Sequence, residues 1–337
     1  MILAFIRTGI AGLLLSGLVA IAAAETPTVR FSLDFAIQGQ QSPFVLAAEG
    51  GYFAREGVNV QVDRGYGSAD AITKVASGAY DMAFADIGAL IQFNAKQSAA
   101  KVVSVFQVYD LAPMLILSLK KSDITNPAAL AGKRLASPPG ASSRVMFPLF
   151  ARANSLDPAS VNWIDVTPQL RETLLVRGQT DATTALVTDL AGLERLGITV
   201  NDLNIMKFNE FGVALYGHCI LTTPDFAAKN PDVVKKVVKG ITEALKAAIA
   251  DPSAAVAAIK KREPLVDEKV EQGRLELVIK NAIVTDHVKR EGLSSVDPGR
   301  MTQTIDMVSK AFNFPPLDVA SVYHPNYLPP REELRLR

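Results

Sequence analysis

The chain has 337 residues, and its 35 Lys and Arg nearly balance its 34 Asp and Glu, which gives a formal net charge of +1. This balance provides no strong field for nucleic acid or an anionic membrane, so neither is expected as a partner. Hydrophobic residues make up 49% and charged residues 20%, which is typical of a globular protein.

The N-terminus has the pattern of an export signal. Arg7 is the only charge in the first 24 residues, an apolar run follows it, and Ala22-Ala23-Ala24 before Glu25 offers an A-x-A cleavage site. A membrane anchor is the alternative, but the apolar run is shorter than the ~20 residues of a spanning helix. The sequence therefore predicts a signal peptide over residues 1–24 and a periplasmic mature protein.

The first part of the mature chain alternates strands and helices. Glycine, proline and capping residues such as Ser42, Ser68 and Asp86 mark the helix starts and ends. The predicted strands are 29–35, 58–62, 81–85, 102–108 and 114–119, and the predicted helices are 44–53, 68–77 and 87–96.

A second α/β block follows, and the chain then becomes mostly helical. Its predicted strands are 134–137, 161–166, 182–186, 204–208 and 213–221, its helices 126–130, 145–153 and 169–176, and the late helices 231–249, 252–261, 268–282 and 298–312. The apolar strands 114–119 and 213–221 join the blocks, which indicates two lobes with a double crossover and a cleft. We expect lobe 1 over 25–117, lobe 2 over 118–213, and a return to lobe 1 with C-terminal helices and a tail over 214–337.

Four segments carry a family resemblance, and their order and spacing are more specific than any one of them. They are SPFVLAAEGGYFAREGVNVQV (42–62), GSADAITKVASGAYDMAFAD (67–86), DITNPAALAGKRLASPPGASS (123–143) and NPDVVKKVVKGITEALKAAIADPSAA (230–255). The chain resembles the periplasmic solute-binding proteins of ABC importers of the nitrate, sulfonate, taurine and thiamine-precursor type.

The resemblance implies a two-lobed α/β fold of the periplasmic-binding-protein kind (type II-like), with a mostly parallel sheet flanked by helices in each lobe. It implies a receptor that closes around one small molecule, uses no cofactor, and meets the membrane only through an ABC permease and its ATPase. The segment 67–91 is most similar to members associated with pyrimidine precursors of thiamine; a sulfonate, taurine or a carboxylate is the alternative ligand.

Polar residues after the first strand are the first ligand-binding candidates. Asp34, Phe35 and Gln38 combine an acid, an aromatic ring and an amide that could hold a flat, hydrogen-bonding molecule. The ends of parallel strands lie side by side where open α/β sheets bind ligands, which favours this position. An ordinary surface turn with Phe35 in the core is the alternative.

The glycine loop after the second strand is the next candidate. Gly67 lets the backbone approach a ligand, Ser68 begins a helix whose free N–H groups suit an anion or carbonyl, and Tyr66 could stack on a ring. Simple helix capping by Ser68 is the alternative. Asp86 could cap the next helix or reach the cleft, and Tyr109 follows the fourth strand at its rim.

The second lobe offers a serine- and glycine-rich loop at a helix start. Its candidates are Ser137, Gly140, Ser142 and Ser143, which match the anion- or carbonyl-binding loop of the family. Further candidates in this lobe are Thr167, which follows a strand, and Asp181, which lies where the family often places a side chain facing the cleft.

Nothing in the sequence favours a metal site or an enzyme. His218, His287 and His324 are scattered without metal-ligand spacing, and no G-x-S-x-G is present. The rival hypothesis is an enzyme similar to the pyrimidine synthase of this fold, but that family depends on a cysteine-rich motif. The only cysteine, Cys219, is interpreted as a buried small residue with no disulfide partner. A sensor domain for a membrane kinase is a third possibility.

Overall fold

The structure is a computed structural model that describes residues 26–96 and 101–336. The predicted signal peptide, 1–24, lies outside the described residues. Within them the strands are β1 (Thr28–Ser32), β2 (Asn59–Asp63), β3 (Met82–Asp86), β4 (Val103–Gln107), β5 (Met114–Leu119), β6 (Arg134–Ser137), β7 (Asn162–Asp165), β8 (Ala182–Leu186), β9 (Leu203–Lys207) and β10 (His218–Thr222).

Helices cover much of the remainder. They are α1 (Ser42–Glu49), α2 (Tyr52–Arg55), α3 (Ser68–Ala76), α4 (Ile87–Lys96), α5 (Ser142–Val145), α6 (Phe147–Ala153), α7 (Arg171–Val176), α8 (Asp189–Arg195), α9 (Pro224–Lys229), α10 (Pro231–Ala250), α11 (Pro252–Arg262), α12 (Glu268–Val278), α13 (Asp286–Glu291), α14 (Pro298–Phe312) and α15 (Arg331–Leu334). No helix in the described ranges is long and apolar enough to cross a membrane.

The strands form two five-stranded sheets, one in each lobe. The order is β2-β1-β3-β10-β4 in the first lobe and β7-β6-β8-β5-β9 in the second. In each sheet four strands run in one direction, and only β10 or β5 runs against its neighbours. This confirms the predicted α/β fold with mostly parallel sheets flanked by helices.

The two antiparallel strands are those that the chain enters after crossing between the lobes. The crossing segments, residues 108–113 and 208–217, pair with each other: Ala112 donates to the carbonyl of Leu215, and Gly217 donates to that of Tyr109, each at 2.9 Å. The predicted double crossover is thus present. The expected boundary between residues 117 and 118 falls inside β5, all of which belongs to the second sheet. The lobe boundaries stay a prediction.

A cation on α14 contacts both crossing segments. Arg300 Nη1 lies 2.7 Å from Asp110 Oδ1 in the first segment, and its guanidinium lies 4.1 Å from the ring centroid of Tyr216 in the second. Thr285 also donates to Asp110 Oδ2 at 2.5 Å. The C-terminal helices therefore hold the hinge as well as packing on the first lobe.

Among the described residues, buried apolar side chains form three clusters around the sheets. One fills the space between the first sheet and α1, α10, α11 and α12. A second continues from α3, α4 and α14 into the second lobe through residues such as Met146 and Phe150, so the lobes share a core near the hinge. The third lies under α7 and α8 on the far face of the second sheet.

Candidate functional site

A small cavity lies between the lobes. Its volume is about 20 Å³, which is room for about one water molecule. Its walls are made by Asp34, Phe35, Gln40, Gly67, Ser68, Ala141, Ser142, Ser143, Arg171, Leu186 and Asp189. A ligand of several heavy atoms can therefore enter only if the lobes separate or if the side chains that line the cavity move.

The first lobe builds its wall from the carboxyl ends of parallel strands. Asp34 and Phe35 follow β1. Gly67 lies between β2 and α3, and Ser68 is the first residue of α3, so the parallel pairing of β1 and β2 brings these two turns together. The Gly67 N–H donates to the carbonyl of Asp34 at 2.6 Å. The second lobe contributes the start of α5, the start of α7 and the turn from β8 into α8.

His218 lies below the first-lobe wall, between two carboxylates. Its Nε2 is 3.1 Å from Asp34 Oδ2, and its Nδ1 is 3.9 Å from Asp86 Oδ2. Gln41 donates to the other oxygen of Asp34 at 2.9 Å. All three ionisable side chains are at least nine-tenths buried, and only Asp34 reaches the cavity.

The charges of this cluster depend on one another. Burial by itself lowers the pKa of His218, but the hydrogen bond with Asp34 and the charges of Asp34 and Asp86 together raise it above its ordinary value. Burial raises the pKa of Asp86, an effect that the charge of His218 opposes. Because Asp34 is the member of this cluster that reaches the cavity, its carboxylate is the group that can accept hydrogen bonds from a ligand that carries N–H groups.

The same contacts argue against a serine nucleophile. Ser68 Oγ is 3.5 Å from His218 Nε2, but Asp34 Oδ2 is closer to that nitrogen at 3.1 Å. An Nε2–H that donates to Asp34 cannot accept the serine proton. Nor does any group of three or more His, Cys, Asp or Glu in the described residues have the arrangement of a metal site.

The second-lobe wall carries an arginine and an aspartate in contact. Arg171 Nη2 lies 2.5 Å from Asp189 Oδ2, and both side chains are almost fully buried. The Leu186 N–H donates to the same carboxylate oxygen at 2.8 Å. Arg171 Nε has no hydrogen-bond partner within 26–96 and 101–336, so a buried donor remains for a ligand.

The lobes touch across the cleft through two glycines. Gly67 has a φ of +130°, and a Cβ built on it would lie 2.3 Å from the carbonyl oxygen of Gly140. The Ala69 N–H at the start of α3 donates to that same oxygen at 3.4 Å. Only a residue without a side chain permits this approach.

Some residues expected in the site line the cavity, and others do not. Asp34, Phe35, Gly67, Ser68, Ser142 and Ser143 line it. Asp86 and Tyr109 are buried against His218 below the wall, and Gly140 forms the interlobe contact. Ser137 supports the second-lobe wall from behind, because Thr184 accepts from Ser143 at 3.2 Å and donates to Ser137 at 2.7 Å.

The other four expected residues lie outside the cavity. Gln38 accepts a hydrogen bond from the side chain of Gln40, while Tyr66 is 59% exposed and Thr167 is also exposed. Asp181 precedes β8, at the opposite end of that strand, and pairs with Arg134 at 2.8 Å. That hydrogen bond is the main reason the pKa of Asp181 lies below its ordinary value, so the carboxylate already has a partner.

Comparison with known proteins places this architecture in a family. The sequence model of the family described as "NMT1/THI5 like" matches residues 38–255. The chain belongs to this family. The membership confirms the resemblance drawn from the four sequence segments. A comparison with curated proteins finds no match.

Solved structures share the fold of this NMT1/THI5-like protein. The alkanesulfonate-binding protein SsuA from Xanthomonas axonopodis pv. citri, bound to MOPS, aligns with a TM-score of 0.66 at 18% identity, over 89% of this chain and 99% of that one. The periplasmic nitrate-binding protein NrtA from Synechocystis PCC 6803 aligns at 0.67 and 12% identity, over 90% and 87%. A mutant of DSZB in complex with biphenyl-2-sulfinic acid aligns at 0.56 and 12% identity, over 90% and 97%.

Proposed function

We propose that this protein is an extracytoplasmic solute-binding receptor that captures a small molecule between its lobes and delivers it to an ABC permease with its ATPase. The observation that carries the proposal is the small cavity whose walls come from both lobes and include charged and polar side chains. A ligand that contacts both walls only in the closed form shifts the population toward closure. The named binding functions of SsuA and NrtA support the same role.

For the ligand we propose a pyrimidine-like heterocycle, of the kind found in thiamine precursors. Asp34 offers carboxylate oxygens to ring N–H or amino groups on one side. On the other side Arg171 Nε is a buried donor without a partner among the described residues, and it suits a ring nitrogen or a hydroxyl oxygen. A sulfonate such as taurine or a carboxylate is the second candidate, favoured by the charge of Arg171.

We also propose that the protein is exported, that its signal peptide is cleaved after about Ala24, and that it has no catalytic role. The DSZB structure shows that the fold also occurs with a bound sulfinic acid, so turnover has to be tested directly. Cell fractionation with an intact mass of the exported form tests the first two points. A mature mass that begins at Glu25 is the expected result.

Native mass spectrometry of the gently purified exported protein is the main experiment. One released small molecule at one copy per chain is expected, and its identity decides between heterocycle, sulfonate and carboxylate. The Asp34→Asn variant should lose this molecule, whereas Asp157→Asn, which changes an exposed helix cap, should retain it. A protein that binds no metabolite from the periplasm or medium, in this experiment and in a thermal-shift screen of pyrimidines and sulfonates, contradicts the proposal.

A further inference from the structure

Helix α12 connects the two lobes beside the cavity. Its apolar residues Leu275 and Val278 belong to the first-lobe core, and its Glu271 accepts the Gly39 N–H of that lobe at 2.6 Å. On its other side, Leu277 packs against the second-lobe core. The helix is therefore anchored in one lobe and reaches the other.

Arg274 makes the polar contact from this helix to the second lobe. Its Nη1 lies 3.2 Å from Asp189 Oδ1, and its Nη2 lies 3.4 Å from Glu172 Oε1. The side chain is only 5% exposed. A buried guanidinium that reaches from one lobe to two carboxylates of the other holds the lobes together, because separating the lobes breaks both of these contacts.

Asp189 links Arg274 to the cavity. Its Oδ1 faces Arg274, while its Oδ2 faces Arg171 at 2.5 Å, so the two oxygens of one carboxylate serve two arginines from different lobes. Of these three residues Arg171 and Asp189 line the cavity. If Arg274 left, both oxygens of Asp189 would be free to pair with Arg171 in a bidentate arrangement.

We infer that Arg274 is a positioning residue for the ligand site: by occupying one oxygen of Asp189 when the lobes close, it leaves Arg171 with donor groups available to a ligand. This inference rests on the proposed receptor function and adds to it a link between closure and the second-lobe wall. With the lobes open, we expect Asp189 to pair with Arg171 through both of its oxygens. With the lobes closed, Arg171 keeps its contact with one oxygen, and its Nε, which has no hydrogen-bond partner among the described residues, is available to an acceptor group of the ligand.

Gly192 on α8 leaves the space in which the Arg274 guanidinium meets Glu172. A Cβ on Gly192 would lie 2.4 Å from Arg274 Nη2 and 2.4 Å from Glu172 Oε2. An alanine at this position must displace the ends of both side chains. Gly192→Ala therefore removes the contact while it keeps every charge in place.

The test combines interlobe distances with binding of a defined probe, hydroxymethylpyrimidine. Spin labels on Ala54→Cys and Gln179→Cys, exposed positions in different lobes, report the distance by pulsed electron resonance. Cys219 is fully buried and stays unlabelled. We expect Arg274→Met and Gly192→Ala to shift the distribution toward longer interlobe distances, with and without the probe. Arg274→Lys should shift it less, because lysine keeps the positive charge but lacks the planar guanidinium that contacts two carboxylates at once.

Binding then separates positioning from a general structural role. Arg274→Met should weaken probe affinity by at least about tenfold, as expected when one member of a buried charge pair is removed. In an Arg171→Met background the same change should have little further effect, since the group that Arg274 positions is gone. The exposed Arg195→Met serves as the control and should change neither distances nor affinity.

The inference is overturned if the interlobe distances are unchanged in both Arg274→Met and Gly192→Ala. It is also overturned if the loss of affinity in the double variant of Arg171 and Arg274 equals the sum of the losses in the two single variants. The proposed function fails separately. If native mass spectrometry finds no ligand and neither the probe nor any pyrimidine or sulfonate of the thermal-shift screen binds, while the distances shift as expected, then the interlobe link stands and the receptor proposal does not.

Discussion

Asp34 and His218 form a buried pair, 3.1 Å apart, at the carboxyl end of β1 and the start of β10. One member lines the cavity and the other belongs to the strand that the chain enters when it returns from the second lobe. The charge of the cavity-lining carboxylate of Asp34 therefore affects the protonation of His218 in the first-lobe sheet.

This pair predicts a pH dependence of stability. The pKa of folded His218 is raised above its ordinary value of about 6.5, so its stabilising contribution is complete below that value and is lost as pH rises through the folded pKa. The raised pKa of Asp86 acts in the same direction at lower pH. We expect the melting temperature to fall as the pH rises above about 6.5.

Thermal melts of three proteins over this rise in pH check the prediction. His218→Gln should melt lower at every pH but lose most of the slope. His287→Gln should keep the wild-type slope, because the one hydrogen bond that the His287 ring makes to the described residues is with the backbone carbonyl of Ser295 and not with a carboxylate. An identical slope in His218→Gln would show that the histidine does not carry the effect.

Closure should depend on the glycine contact between the lobes. Gly67→Ala puts a Cβ against the carbonyl of Gly140 and strains a backbone with φ of +130°. We expect affinity for the co-purified ligand to fall by at least about tenfold, because binding is reduced by the fraction of molecules that can close. Isothermal titration measures this directly.

Gly78→Ala is the matched control, at the other end of α3. Gly78 also has a positive φ, +75°, but nothing lies within 4 Å of an added Cβ. It should cost about 1 kcal/mol of stability and leave affinity unchanged. Equal losses of affinity in the two variants would mean that backbone strain, not interlobe contact, is responsible.

The hinge should lose stability when its cation is removed. Arg300→Met leaves the buried carboxylate of Asp110 without its ion-pair partner, and we expect a loss of about 3 kcal/mol in the free energy of unfolding. Arg331→Met, which removes an exposed pair with Glu291, should cost less than about 1 kcal/mol. Urea unfolding of both variants compares them, and similar costs would contradict the assigned role of Arg300.

The single thiol should report unfolding. Cys219 is fully buried in β10, and burial raises its pKa to about 12, so the native protein contains almost no reactive thiolate at neutral pH. We expect a thiol reagent to label it only as fast as the protein opens, and completely in denaturant. Immediate labelling of the folded protein would contradict the buried interpretation made from the sequence.

The sequence predicted those parts of the site that lie next to strong local signals. Asp34 follows a clear strand, and Ser68 begins a helix after a glycine turn, so the parallel arrangement alone brings them together. The strands of both sheets were also recognisable, because apolar runs bounded by turn residues are local features.

The residues that sequence reasoning missed owe their position to long-range packing. Arg171 occupies an ordinary place in a short helix, and its ion-pair partner, Asp189, lies on a different helix, α8. Thr188-Asp189 could have signalled the start of α8, which was not predicted. The sequence offers no partner at a regular spacing from His218, whereas its partners are Asp34, in the turn after β1, and Asp86, at the end of β3.

The placement of β10 between β3 and β4 has a consequence for the order of assembly during biosynthesis. The first sheet cannot close until residue 222 has emerged, whereas every strand of the second sheet lies within 114–207. We expect an N-terminal fragment to keep the facing edges of β3 and β4 unpaired and open to association with other chains. The second lobe is contiguous and can form first, and the first lobe is completed around the returning chain.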